Sequence, residues 1–268
     1  MRSIHRPPWA AFHALAALMF VQGLSGLALP WLYRDDEAWI LAAWRGNDAV
    51  TALLAAPLLS VATLRAARGS TRGLLLALGA LWYCFYNGAY YLFGAALGVF
   101  FPIYVILEVF CASTLIVTVR GLDPESIAAA FGPRTPARGV GVSLGLVGAM
   151  LALVWIMQWA RYVMTGALAA PSAEAVRLIA AMDTTVIAPT LIAGGALLVR
   201  RRPWGFVLGV LGGALGALYA TVLAAGTLVG MSQGLPGMAE QLPIWCVLML
   251  VLYASLALLL RDVSEPEA

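Results

Sequence analysis

Residues 204–230 read WGFVLGVLGGALGALYATVLAAGTLVG, and Arg200-Arg201-Arg202-Pro203 stands directly before them. The run is apolar, carries no charge, and is closed at one end by three fixed cations. A helix needs ~20 apolar residues to cross a hydrocarbon core of ~30 Å. A barrel strand would alternate apolar and polar side chains, and this run does not. It therefore reads as a membrane-spanning helix. Similar runs lie near 9–30, 48–65, 73–94, 100–119, 139–160, 183–199 and 242–260. The sequence predicts an all-α, polytopic membrane helix bundle with eight transmembrane helices.

Composition agrees. The 268 residues are 62% hydrophobic and 11% charged, against roughly a quarter charged in an ordinary soluble protein. That excludes a soluble globular domain, a disordered chain and a secreted disulfide scaffold. All 16 basic residues are arginine. Without lysine there is no Schiff-base or P-loop chemistry. The two histidines, His5 and His13, cannot provide bis-histidine haem ligation or an H-E-x-x-H zinc site. No catalytic constellation, metal site or cofactor is implied. Cys84, Cys111 and Cys246 all fall within predicted spans and read as buried thiols.

Arginine placement sets the topology. With the N-terminus inside, twelve arginines are cytoplasmic and four (Arg34, Arg45, Arg161, Arg177) are outside. Eight spans then bring both termini to the cytoplasm. The net charge of +3 is a topology signal and gives no support to nucleic-acid binding. Arg2 and Arg6 precede an apolar stretch too long for a signal-peptide core, with no cleavage pattern after it, so it reads as a retained first span. The arginine-only, alanine- and glycine-rich composition suggests a GC-rich bacterial genome, hence a multi-pass protein of the bacterial cytoplasmic (inner) membrane. The lipid bilayer is an implied partner and a small solute, cation or proton a candidate one, and the sequence leaves the oligomeric state open.

The chain also matches itself. Gln22 aligns with Gln158, Asp48 with Asp183 and Arg65 with Arg200. Leu78-Gly79-Ala80-Leu81 aligns with Leu215-Gly216-Ala217-Leu218, and Pro102-Ile103-Tyr104 with Pro243-Ile244-Trp245. The matches keep their order, and predict a 4+4 parallel internal repeat. Residues 1–120 form the first half, 121–138 a cytoplasmic linker and 139–268 the second half. Sites in such parallel repeats lie at the repeat interface. The long loops are expected at 31–47, 120–138 and 161–182. The first carries Trp31, Trp39, Trp44 and the acids Asp35, Asp36 and Glu37, which suits an interfacial helix. A second is expected from Pro171-Ser172.

Polar side chains are costly in a bilayer, so their positions inform. Tyr83, Tyr86, Asn87 and Tyr90 recur at helical spacing in the third span. Tyr104, Glu108 and Cys111 share one face of the fourth. At 1.5 Å per residue, Asn87 and Glu108 lie at one level, roughly 10–12 Å deep. Gln22, Asp48, Gln158 and Asp183 occupy outer halves too. The expectation is a pocket open to the outer face and narrowing to Glu108, a titratable group able to exchange a proton or bind a cation. The blander readings stand beside it. Glu108 can be a packing hydrogen-bond donor. Asp48 and Asp183 begin predicted helices, where carboxylates cap. Tyr90 and Tyr91 suit an interfacial belt, and Pro57, Pro102, Pro189 and Pro243 start or kink helices. Met249 stands opposite Glu108 in the aligned half, so the ionisable group is in one copy only.

Gly46-Asn47-Asp48-Ala49-Val50-Thr51, the Arg68-Gly69-Ser70 turn, Tyr86-Asn87 with Tyr90 and Gly94, and Arg201-Arg202-Pro203-Trp204-Gly205 together resemble an uncharacterised family of bacterial multi-spanning integral membrane proteins. Gly88 stands where that group is expected to carry an aromatic. The resemblance implies a polytopic bacterial membrane protein with no assigned activity.

Three functions compete. One is transport or binding of a small solute, cation or proton at Glu108, Asn87, Tyr83, Tyr86, Tyr104, Asp48, Asp183, Gln22 and Gln158. Another is a membrane-embedded enzyme acting on a lipid-linked substrate, with Asp35, Asp36 and Glu37 beside the membrane. The third is a non-catalytic subunit or sensor.

Overall fold

Backbone groups in hydrocarbon have no water to bond, so each apolar run closes its own hydrogen bonds as helix. In the computed structural model, which describes residues 7–33, 38–95, 97–167 and 173–265, 85% of the chain is helical. No strand forms among the described residues. The long helices are α1 (Trp9–Ala28), α2 (Ala38–Ala67), α3 (Thr71–Gly94), α4 (Phe101–Arg120) and α5 (Ala137–Thr165). α6 runs over Ala173–Met182, Asp183–Ile187 and Ala188–Val199, and is followed by α7 (Pro203–Ser232) and α8 (Met238–Leu260). A short helix, Pro124–Ala129, lies between α4 and α5.

Seven of these helices are long and apolar enough to cross a membrane: α1, α2, α4, α5, α6 over Val176–Val199, α7 and α8. The 24-residue α3 is equally long, but Trp82, Tyr83, Tyr86, Asn87, Tyr90 and Tyr91 make it less apolar. It packs against α2, α4 and α7, so its polar groups face protein.

The helices start and stop on local signals. The Ser70 hydroxyl accepts from the Gly73 N–H at 2.9 Å and caps α3. Pro203 opens α7, where a missing N–H costs nothing. Gly166 ends α5 at a φ of 69° that favours glycine.

Packing is ordered. α1 to α4 form one ring, each helix touching the next and α4 returning to α1. α5 to α8 form a second ring, and between the two α2 meets α7 while α3 meets α6 and α7. α7 is the most enclosed, with 78% of its most apolar window buried, against 22% for α5 and 17% for α8. The last two therefore present most of their surface outward. Gly46 and Gly226 set the α2–α7 crossing: a Cβ on Gly46 would collide with the Gly226 backbone.

The arginine-bearing turns gather at one end. Arg72 donates to the backbone carbonyls of Arg261 at 3.1 Å and Val263 at 2.7 Å. Arg201 donates to the Thr135 carbonyl at 3.2 Å, and Phe131 pairs with Val263 in an isolated bridge. The α2–α3 turn, the segment before α5, the α6–α7 turn and the C-terminal residues are thus stitched together. His13 lies 3.3 Å from the Ser60 hydroxyl.

Two expectations need correction. Residues 38–47 are the first turns of α2 rather than a separate interfacial helix, and α5 and α6 take most of 161–182. Arg34, Asp35, Asp36 and Glu37, and the Pro171-Ser172 start, lie outside the described residues. Asp48 and Asp183 are likewise not helix caps. Each sits inside a continuous helix, because neighbouring helices supply the donors that make a buried carboxylate tolerable.

A π-turn follows Asp48, over Thr51–Ala55, and another begins at Asp183, over Asp183–Ile187. The Ala56 N–H reaches the Thr51 carbonyl and the Ala188 N–H reaches the Asp183 carbonyl. Pro57 and Pro189 come next in each case. A proline ring collides with the carbonyl four residues back, and one widened turn relieves that.

Candidate functional site

The polar groups form two carboxylate centres, one per ring of helices. Asp48 is sealed, at 0% exposure. It accepts from Gln22 Nε2 of α1 at 2.9 Å, from the Tyr33 hydroxyl at 2.8 Å and from the Tyr91 hydroxyl of α3 at 2.6 Å. Gly26 makes room, since any Cβ there would overlap Asp48 Oδ2. Aromatic rings close the surroundings: Tyr91 stacks on Trp44 at 4.6 Å and on Tyr104 at 5.2 Å. Tyr33 belongs to the turn after α1. Burial, reinforced by the Asp48 carboxylate, pushes its phenol well above the ordinary value, so it stays a donor.

Asp183 is held by the same logic with other residues. Its Oδ1 accepts from the Tyr86 hydroxyl of α3 at 2.7 Å. Its Oδ2 accepts from Trp155 Nε1 of α5 at 2.9 Å, and the Tyr219 phenol of α7 faces the same carboxylate. Between the two centres runs a neutral network. Asn87 Nδ2 donates to Thr51 Oγ1 at 3.1 Å, Thr51 and Tyr83 share a hydrogen bond at 2.8 Å, and Tyr83 donates to Asn47 Oδ1 at 3.1 Å.

The centres differ in what lies beside them and not in exposure, for Asp183 is itself buried at 2%. Asp183 lines a cavity of about 860 Å³ bordered by α2, α3, α5, α6, α7 and α8. Asp48 does not line it. On α5 the wall runs from Val147 to Gln158 and on α7 from Gly216 to Thr227, roughly 17 Å of helix in each. Its upper part reaches Trp39, Met238 and Gln241, at the helix ends remote from the arginine turns. Its lower part is aliphatic, with Val147, Leu151, Leu191 and Leu252. Asp183 lies between these levels, beside Asn87, Tyr90 and Gln158. The volume suits a small organic molecule.

Of the nine residues singled out from sequence, Tyr86, Asn87, Gln158 and Asp183 line the cavity. Gln22, Asp48 and Tyr104 belong to the sealed centre, and Tyr83 to the bridging network. Glu108 lies apart. Its Oε2 is buried without a hydrogen-bond partner, against the α-carbon side of Gly88, and it does not line the cavity. The expected meeting of Asn87 with Glu108 is replaced by the Asn87–Thr51 bond. α3 turns Asn87 toward α2, and the adjacent Gly88 faces α4.

Sequence reasoning missed Trp155, Tyr219 and Tyr33. Tyr219 had a signal, as the lone phenol in the 204–230 run. Trp155 had none, since an indole in a span reads as apolar surface. All three cysteines are free thiols. Among the described residues no group of three His, Cys, Asp or Glu is placed to hold a metal. No protein-family model matches this chain, and comparison with curated proteins and with solved structures finds no match.

Proposed function

We propose that this is an eight-span membrane protein, built from two parallel four-helix units, that binds and moves a small solute or ion through the Asp183 cavity. α3 is the eighth span, long enough to cross and shielded from lipid by its neighbours. The two rings of like contacts, each with an aspartate, a π-turn and a proline in its second helix, support the duplication. The clustered arginine turns support a cytoplasmic position for that end and for both termini, in a bacterial inner membrane. The cavity then opens toward the outer face.

The observation that carries the reading is the contrast between the two centres. One half fills its interior with Tyr33, Trp44, Tyr91 and Tyr104 around Asp48. The other leaves a cavity of about 860 Å³ with the buried Asp183 in its wall. Asp48 does not border that space. An intramembrane carboxylate on a cavity wall is a site by default. Asp183 thus takes the anchoring role that the sequence assigned to Glu108, and the π-turn at Asp183 supplies a backbone hinge beside it.

The test is side-specific labelling. Ala220 lines the cavity, and Ala220→Cys is made with Cys84, Cys111 and Cys246 replaced. In right-side-out vesicles a membrane-impermeant methanethiosulfonate is expected to modify the new thiol from the outer face. A thiol inert from both faces would overturn the reading.

A further inference from the structure

Among the described residues, the cavity wall contains one carboxylate and no arginine, lysine or histidine. An anion would meet Asp183 with no compensating charge. A small, strongly hydrated metal ion fares no better. It needs six or more oxygen ligands, whereas Trp155 and Tyr86 spend their hydrogens on Asp183, and an indole N–H has no lone pair to offer. The wall instead carries six aromatic side chains: Trp39, Tyr86, Tyr90, Trp155, Tyr219 and Trp245. Aromatic faces attract a diffuse cation and accept its apolar body.

The lower cavity and one side are apolar as well. Met150 and Val154 of α5, and Ile244 and Val247 of α8, line the cavity yet are 63%, 48%, 55% and 61% exposed. α5 and α8 are also the two helices least covered by the rest of the chain. The seam between them faces hydrocarbon, so an apolar body reaching the cavity stays solvated by lipid on the way.

We propose that the cavity takes a bulky, apolar organic cation, with Asp183 as its counter-charge and the aromatic wall around its body. This rests on the reading of the cavity as a solute site and names the class of solute.

The probe pair is tetraphenylphosphonium and tetraphenylborate, nearly the same shape with opposite charge. Binding to the intact protein in lipid nanodiscs is measured against nanodiscs without protein. Tetraphenylphosphonium is expected to bind saturably, and tetraphenylborate at least 10-fold more weakly. Asp183→Asn is expected to lose at least 10-fold in tetraphenylphosphonium affinity, and Asp183→Glu, which keeps the charge, to stay within a few-fold of the unaltered protein. Thermal unfolding of each variant separates lost binding from lost fold. If Asp183→Asn does not fold, the charge comparison in the unaltered protein decides. Equal binding of both ions, or undiminished binding to folded Asp183→Asn, would overturn the proposal. If neither ion binds while Ala220→Cys is still labelled from outside, the cation class fails and the solute site stands. If neither ion binds and the thiol is inert, both fail.

Discussion

Asp48→Ala tests the claim that the first carboxylate is a structural node. The substitution leaves three donors without their acceptor: Gln22 Nε2, the Tyr33 hydroxyl and the Tyr91 hydroxyl, at 2.9, 2.8 and 2.6 Å. Interhelical hydrogen bonds in membrane proteins are worth ~0.6–2 kcal/mol each, because the unfolded chain in lipid also finds partners. Three together give about 2–6 kcal/mol. At ~2–4 °C per kcal/mol for a chain of this size, the midpoint of thermal unfolding falls by roughly 5–20 °C. Tryptophan fluorescence in nanodiscs reads it, since Trp44 stacks on Tyr91 within this centre. Asp48→Asn keeps an acceptor oxygen and should lose less than half as much. Tyr91→Phe combined with Asp48→Ala should cost less than the sum of the two, because both remove one bond. An Asp48→Ala protein as stable as the unaltered chain would refute the reasoning.

Other predictions follow from the same contacts. Gly26→Leu forces a side chain into Asp48 Oδ2 and should destabilise by about 1–3 kcal/mol or more, the usual cost of overpacking, read as a lower thermal midpoint. Ser70→Ala removes the α3 cap and should cost about 1 kcal/mol, visible as a small midpoint shift with probe binding retained. Arg72→Ala frees the carbonyls of Arg261 and Val263, and should speed proteolysis of the C-terminal residues without a large change in global unfolding. Glu108→Gln should alter tetraphenylphosphonium binding by less than 2-fold, since Glu108 does not line the cavity. A 10-fold loss would return the site to Glu108.

The spans were legible because a bilayer leaves one solution for a long apolar run: helix, with fixed charges at its ends. Their starts were less so. Asn47 and Asp48 read as the edge of a span, since a lone polar pair is costly in lipid. They lie ten residues inside α2, and only partners from α1, α3 and the turn at Tyr33 permit that. Gln22 and Tyr91 come from outside 31–47, and Tyr33 within it carries no local pattern that marks it as a donor to Asp48. Pairing Asp48 with Asp183 by internal match found both centres without separating them. The separation depends on what fills the space in front of each carboxylate, which is a property of packing. Glu108 drew attention as the single acid of its helix, and Gly88, which lets α4 lie close to α3 there, is the residue that decided its surroundings.

The account turns on Asp183 lining the cavity while Asp48 does not, and carbodiimide labelling tests that most directly. Dicyclohexylcarbodiimide reaches carboxyl groups through lipid and leaves a stable acylurea that peptide mass mapping locates. In mildly acidic membranes the account predicts modification at Asp183, slowed by tetraphenylphosphonium, with Asp48 unmodified. Labelling of Asp48 at the same rate as Asp183, or of Asp48 alone, would contradict it.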